Sequence, residues 1–417
     1  MVEKLQEGIY HAPGMRPGKF FTIIFLRVGE GFDAPQVGEA FLKLWEVYQG
    51  LKNGKIRDLP GHPVPSGDLS VLVGYGPNVF QLSNSQRPLP QAFDSRNLFR
   101  SPRPTGGGSL IPGSGLEYAD DIRSNFATEE IAIQFIAETQ LAVNRAVVET
   151  WKVLREITDA DTNTAPLLLT SFHSGFQRED HRSWIDFHDG LSNMKSDERE
   201  KAIVVKSGSL SEPDDQWTAG GTYLAFLRIG VDLDVWQKLD RQQQELLVGR
   251  DKLSGCPLEK LTDEGKPVVT TGCPFMGTKE VSELGDENIK FLEPKKVSDA
   301  AIDKSHVQRA NRHVDPIDDR NSLRIFRQGY EFLEPLESYP GFRAGLNFVS
   351  FQDTPERLRR MLTQSKWLGS TNFGGDPAVP IPGMDQFLSV RAAGVFLVPP
   401  VLDSEVFPGA SIFFEAT

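Results

Sequence analysis

Hydrophobic positions along the chain fall into short β-branched or aromatic runs that alternate with stripes at helical spacing. Phe21-Thr22-Ile23-Ile24-Phe25-Leu26-Arg27-Val28 predicts a strand. Phe41, Leu44, Trp45 and Tyr48 share one face at i, i+3, i+4 and i+7 and predict a helix. Leu69 to Val73 reads as the next strand, closed by Gly74-Tyr75-Gly76-Pro77. A Pro/Gly/Ser-rich passage then runs from Arg87 to Gly115, an ordered surface loop or a dimer arm. Ile131 to Ile136 resumes a strand, Val143, Val147, Trp151 and Leu154 mark a second helix, and Pro166 to Ser171 a further strand. The order is β-α-β followed by β-α-β.

The pattern then starts over. Phe226-Leu227-Arg228-Ile229-Gly230 echoes Phe25-Leu26-Arg27-Val28-Gly29. Asp240 with Gln243 forms a capping-box pattern ahead of Glu245-Leu246-Leu247. Leu346 to Phe351 predicts a strand, Thr354 and Pro355 the N-cap and first residue of a helix carrying Leu358, Met361 and Leu362, and Gly394 to Pro399 a last strand. The fold class expected is α+β: two ferredoxin-like halves, each an antiparallel sheet with flanking helices, of the dimeric α+β barrel type. The halves are placed at residues 1–205 and 206–417. Lys195 to Gln216 reads as a polar connector, and Cys256 to Val297 as a long excursion without periodicity.

Composition narrows the function classes. Among 417 residues, 45 basic against 57 acidic side chains give a formal charge of −12, which argues against nucleic acid or an anionic membrane surface as partner. No apolar run reaches the roughly 18 residues of a membrane-spanning helix. The N-terminal residues carry neither an apolar signal core nor a twin-arginine pair. With two cysteines, Cys256 and Cys273, one disulfide at most is available, and a reduced cytoplasmic protein is expected.

Three places concentrate chemistry. Trp184-Ile185-Asp186-Phe187-His188-Asp189-Gly190-Leu191-Ser192-Asn193 holds three titratable groups in four positions. Locally, Asp189 before Gly reads either as a turn cap or as an acid-base group aimed into a pocket. His306 lies in Ser298-Asp299-Ala300-Ala301-Ile302-Asp303-Lys304-Ser305-His306, expected as a helix capped by Ser298 with Ala301, Ile302 and Ser305 beside the histidine. It reads as a capping histidine or as a neutral imidazole ligand. Arg324 and Arg327 share a strand-like run ending at Gly329, suited to a sheet-edge ion pair or to stabilising an anionic oxygen. His313 and Asp315 form a His-x-Asp pair of the kind used by non-haem iron sites, without a following histidine.

Taken together, Asp186-Phe187-His188-Asp189-Gly190, Ser305-His306-Val307-Gln308-Arg309-Ala310-Asn311 and Arg324-Ile325-Phe326-Arg327-Gln328-Gly329-Tyr330 resemble the dye-decolorizing peroxidase family. Val73 to Pro77, Gly220 to Phe226, Val248-Gly249-Arg250 and Val398-Pro399-Pro400 extend the resemblance over nearly the whole chain. The resemblance implies a haem peroxidase that reduces hydrogen peroxide and oxidises organic donors such as dyes or phenols in one-electron steps. It implies one haem b per chain, with His306 as axial iron ligand, Asp189 as distal acid-base and Arg327 as distal cation, both facing the cofactor. Only Arg327 is followed by x-Gly, which favours it over Arg324. Asp186 stands where the family has Gly; Gly there permits a positive φ or a close backbone approach, and Asp is one of the few residues that tolerates a left-handed backbone. Asp385 is the expected acceptor for the other ring nitrogen of His306. Trp217, Trp236, Trp367 and Tyr330 are the aromatic residues considered for electron relay to bulky donors. The alternative function is a haem-binding or haem-handling protein of the same fold with incidental peroxidase activity, and a homo-oligomer is compatible with either.

Overall fold

The fold is that of a computed structural model, which describes residues 4–12, 15–93, 117–118, 130–191, 193–194, 196–273, 294–311, 324–336, 341–362 and 388–415. His313, Asp315, Trp367, Asp385 and most of the 87–115 passage lie outside the described residues.

The first half runs β1 (Phe20–Val28), α1 (Ala34–Lys52), β2 (Ser70–Tyr75), a two-residue β3 (Glu117–Tyr118), β4 (Ile131–Ala137), α2 (Gln140–Glu156) and β5 (Leu167–Phe176). A short helix, α3 (Ser196–Ile203), leads to β6 (Thr222–Val231), α4 (Leu233–Gln237), α5 (Arg241–Val248) and the hairpin β7 (Leu258–Leu261) with β8 (Pro267–Val269). Then follow α6 (Ala300–Asp303), α7 (His306–Ala310), β9 (Phe326–Arg327), β10 (Tyr330–Pro335), β11 (Phe342–Gln352), α8 (Pro355–Leu362) and β12 (Leu388–Val398).

The strands lie in the order β5-β1-β4-β2 and then β12-β6-β11-β10, and β10 returns to pair with β5. Each half therefore orders its own four main strands fourth-first-third-second, all antiparallel, and the two sheets meet edge to edge in a closed barrel. Closure leaves none of these eight strands as an open edge. The seams are thin. β2 meets β12 through Tyr75 and Leu397 alone, and β5 meets β10 through Phe176 and Glu331. Side chains reinforce both: Gln6 Nε2 donates to Val73 O at 3.1 Å and Pro399 O at 3.0 Å, and Asn347 Nδ2 donates to Ser174 O at 2.9 Å.

Strand alternation explains where the cores form. In β1, Phe21, Ile23 and Phe25 point into the barrel, while Ile24 and Leu26 face the layer formed by α1 and α2. The echo seen in sequence is structural: β1 and β6 are the first strands of their halves, and Phe25 and Phe226 meet inside the barrel with ring centroids 5.4 Å apart. Each such phenyl ring, fully buried, contributes about 1.5–3 kcal/mol. The outer face differs between halves. In the first, two long helices cover it. In the second, the helices among the described residues that Leu227, Ile229, Leu346 and Phe348 face are short, and the space left between is a cavity.

Several expectations change. The connector at 195–216 contains α3, and the 256–297 excursion contains the β7–β8 hairpin. Cys256 and Cys273 are joined in a disulfide rather than reduced, bracketing that hairpin. The helix ahead of His306 is two short helices. Asp299, not Ser298, caps α6 by accepting from Ala301 N, Ser305 caps α7, and Ala301 is exposed. The strand-like run ending at Gly329 is the two-residue β9, with β10 after it. Trp151 lies on the exposed side of α2, 53% accessible. The Asp240–Gln243 capping box is present as read. No helix among the described residues is long and apolar enough to cross a membrane.

Candidate active site

The loop after β5 delivers Asp189. Its path is fixed by backbone hydrogen bonds: Asp186 N donates to Ser183 O at 2.8 Å and Asp189 N to His181 O at 3.1 Å. Asp186 sits at φ +64 and Gly190 at φ +74, so the loop takes two left-handed turns around Asp189. The Asp186 carboxylate, 62% exposed, points away to Lys252 Nζ at 3.6 Å. Arg182 ties the loop down, donating through Nη1 to Asp186 O at 2.6 Å and to Lys252 O at 2.8 Å.

Arg327 arrives from the other direction on β9, paired with Ser350 of β11. Asn193 joins the two pieces: its Nδ2 donates to Arg327 O at 2.8 Å, and Arg327 N donates to Asn193 Oδ1 at 3.3 Å. The result is an Arg327–Asp189 ion pair with Nη1 3.8 Å from Oδ1. Asp189 Oδ1 also accepts from Gly190 N at 2.7 Å. Gly329 allows the approach, since a Cβ there would stand 3.0 Å from Leu346 Cδ1 and 3.4 Å from Asp189 Oδ2. Arg324 also lines the cavity, but Glu198 of α3 holds its Nη1 at 2.8 Å.

His306 opens α7, directly after its N-cap Ser305. Val248-Gly249-Arg250 places this turn. Gly249 ends α5 at φ +88, and a Cβ on it would stand 2.3 Å from Ser305 Oγ. Only glycine lets α5 close onto the start of α7 in this conformation. Arg250 then enters the same cavity and donates from Nη1 to Gly255 O at 2.8 Å.

His306, Asp189 and Arg327 therefore line one cavity, with about 1400 Å³ of empty space including its mouth. Leu227, Ile229 and Val231 of β6, Leu346 and Phe348 of β11, and Val248, Val307 and Leu358 of the helices make its walls apolar. Burial first, then Arg327 and Arg250, pushes the His306 imidazole down to about 4 against the opposing pull of Asp189. Its neutral nitrogen lone pair is therefore available near pH 7. Burial, aided by Arg327, brings the Arg250 guanidinium down to about 9. Burial, reinforced by Asp189, raises Glu331 of β10 to about 9 against Arg178 and the Trp184 backbone N–H.

Sequence reasoning missed Glu331, Arg250, Asn193 and the wall position of His188, which is buried beside Gly255. Glu331 falls in a strand whose polar residues hide it, although Glu331-Phe332-Leu333 after Gly329-Tyr330 could have been read as alternation. Of the aromatic residues considered for relay, Tyr330 is fully and Trp236 almost fully buried, and Trp217 packs against Phe80.

A sequence model of the family described as Dyp-type peroxidase, C-terminal, matches residues 180–403. Among curated proteins, the chain is 23% identical over 240 residues to a deferrochelatase of Shigella flexneri serotype 5b, covering 57% of this chain and 50% of that protein. It is 24% identical over 238 residues to a dye-decolorizing peroxidase of Thermobifida fusca, covering 57% and 49%. The matched segment thus spans about half the length of these curated relatives. Among solved structures, a DyP-type peroxidase from Cellulomonas bogoriensis superposes with a TM-score of 0.64 at 17% identity, covering 99% of both chains.

Proposed function

This chain belongs to the Dyp-type peroxidase family, and on that premise we propose that it is a haem peroxidase that reduces hydrogen peroxide and oxidises organic donors such as dyes or phenols. The observation that carries the reading is the gathering of His306, Asp189 and Arg327 on one apolar cavity.

The residues present fit haem b, one per chain. The cavity offers an imidazole held neutral, aliphatic walls against a flat apolar macrocycle, and the guanidinium groups of Arg250 and Arg327 for anionic groups. His306 would be the axial ligand, with Ile229, Leu346, Phe348 and Leu358 among the enclosing side chains. When bound, haem supplies the redox chemistry, receiving the oxidising power of peroxide and passing it on in one-electron steps.

The chain's own residues handle protons and charge. Asp189 accepts a proton from one peroxide oxygen and returns it to the departing oxygen, a general acid-base role. Arg327, its backbone anchored through Asn193, stabilises with its permanently charged guanidinium the negative charge that develops as the O–O bond breaks.

The test is reconstitution. Purified protein titrated with haem gives a Soret band that His306→Ala loses or shifts, and the loaded wild type oxidises a phenolic or dye donor only when peroxide is added. Failure of the wild type to take up haem, or a Soret band unchanged in His306→Ala, contradicts the reading.

A second reading has one observation in its favour, the matched relative named a deferrochelatase: a haem-handling protein with incidental peroxidase activity. Wild-type peroxide turnover surviving in both Asp189→Ala and Arg327→Ala would select it. For location, the Cys256–Cys273 bridge weighs against a cytoplasmic site, because disulfides persist in oxidising compartments. Thiol trapping in freshly lysed cells decides between the two.

A further inference from the structure

Glu331 is a cavity carboxyl to which the peroxidase reading gives no work. It lies at the seam between the two halves, its backbone opposite Leu346 of β11 and Phe176 of β5. Its side chain lines the cavity that Asp189 and Arg327 share, yet only 6% of the residue is accessible. Among the described residues it forms no ion pair. Arg178, whose charge reaches it, gives Nε and Nη2 to Asp180 at 2.9 and 2.5 Å and Nη1 to Ser183 O at 3.1 Å.

The groups facing Glu331 are Asp189 from the loop above it, Arg178 and Asp180 from the segment after β5, and the backbone N–H of Trp184. Two of these are carboxylates, and the one cation is already engaged. A buried acid in such company keeps its proton, in line with its rise to about 9. On the far side, Arg178 and Asp180 have side chains 20% and 45% accessible, so they connect this corner to solvent.

The stoichiometry of peroxide reduction leaves such a group a task. Converting one hydrogen peroxide to two waters takes up two electrons and two protons. Donor molecules supply the electrons. Asp189 only moves a proton already on the peroxide from one oxygen to the other, so the two protons taken up, whether released by a phenolic donor or drawn from solvent, must reach the cavity by another route. We propose that Glu331 is the proton reservoir of this cavity, acting through Asp189. Its carboxyl O–H bond breaks as a new O–H bond forms on the Asp189 carboxylate, which protonates the oxygen leaving as the second water. Solvent returns a proton to Glu331 past Asp180 and Arg178. The inference rests on the peroxidase reading and deepens it.

Glu331→Gln tests it, since glutamine keeps the shape and neutrality of the protonated acid but has no proton to release. In the haem-loaded variant, steady-state turnover with a saturating phenolic donor falls about tenfold or more, and the alkaline limb of the wild-type pH profile flattens. The initial reaction with peroxide, which uses Asp189 and Arg327 but not Glu331, changes less than about threefold. Infrared difference titration of the haem-free protein supplies a readout independent of activity. The wild type shows a protonated-carboxyl C=O band at neutral pH that bleaches as pH rises toward 9, and Glu331→Gln lacks it. Unchanged circular dichroism and haem uptake show that the variant folds. Wild-type turnover with an unaffected glutamine variant, or no band difference at pH 7, overturns the reservoir alone. Wild-type protein that binds haem but does not turn over peroxide overturns the peroxidase reading, and the reservoir with it.

Discussion

Arg327 Nη1 stands 3.8 Å from Asp189 Oδ1, although the two residues belong to separate halves of the barrel. The pair attracts electrostatically but is too far apart for a hydrogen bond. Both side chains keep part of their surface in the cavity, so a small polar molecule can contact carboxylate and guanidinium at once. The backbone of Arg327 is fixed by Asn193, which leaves its guanidinium free to respond to charge in the cavity.

Asp186 occupies a left-handed turn, and its replacement by glycine is expected to be close to neutral. Glycine relieves the strain of φ +64, about 1–2 kcal/mol for most residues and less for Asp. It also loses the exposed pair with Lys252, which contributes at most about 1 kcal/mol. Asp186→Ala keeps the strain and loses the pair, so it should be the less stable variant. Urea unfolding of both checks this; an alanine variant as stable as the glycine variant would show that the turn is unstrained.

Gly249→Ala should disrupt the support of His306. The substitution places a Cβ 2.3 Å from Ser305 Oγ at φ +88, combining backbone strain with overpacking. A loss of about 1–3 kcal/mol is expected, together with weaker haem uptake. Urea titration and haem titration measure the two effects. A variant as stable as wild type would mean that α5 and α7 are not locked together here.

The main elements of the barrel were legible because each half repeats strand and helix periods strongly, as in Phe21 to Val28 and Phe226 to Gly230. The capping box at Asp240 is local chemistry, and it appears where it was read. The barrel type was expected, but the pairs that close it were not legible, because closure depends on single ladder pairs such as Glu331–Phe176, contacts between distant segments that leave no periodicity. At the site, Asp189, His306 and Arg327 emerged from family resemblance, since each alone reads more readily as a cap or an edge residue. Glu331 stayed hidden because its significance comes from Asp189, which is 142 residues away in sequence.

Stability of the haem-free protein should depend on pH through two groups of opposite sign. His306, lowered to about 4, contributes fully above its unfolded value of 6.5 and progressively less as pH falls from 6.5 through 4. Glu331, raised to about 9, contributes fully below its unfolded value of 4.5 and loses that contribution as pH rises through 9. Urea midpoints measured from pH 4 to 9 should decline less steeply on the alkaline side in Glu331→Gln and on the acid side in His306→Ala. Superimposable profiles for wild type and Glu331→Gln would show that the acid is ionised in the fold.

The central claim is that Asp189 and Arg327 activate peroxide opposite a haem held by His306. Rapid-mixing absorbance of the haem-loaded protein with hydrogen peroxide tests it most directly, using Asp189→Ala, Arg327→Ala and Arg324→Ala beside wild type. The account predicts bimolecular rate constants lowered about 10²–10⁴-fold for Asp189→Ala and about 10²–10³-fold for Arg327→Ala, with the Soret band retained. Arg324, held by Glu198, should matter less than about tenfold. Wild-type rate constants in both the Asp189 and Arg327 variants would contradict it.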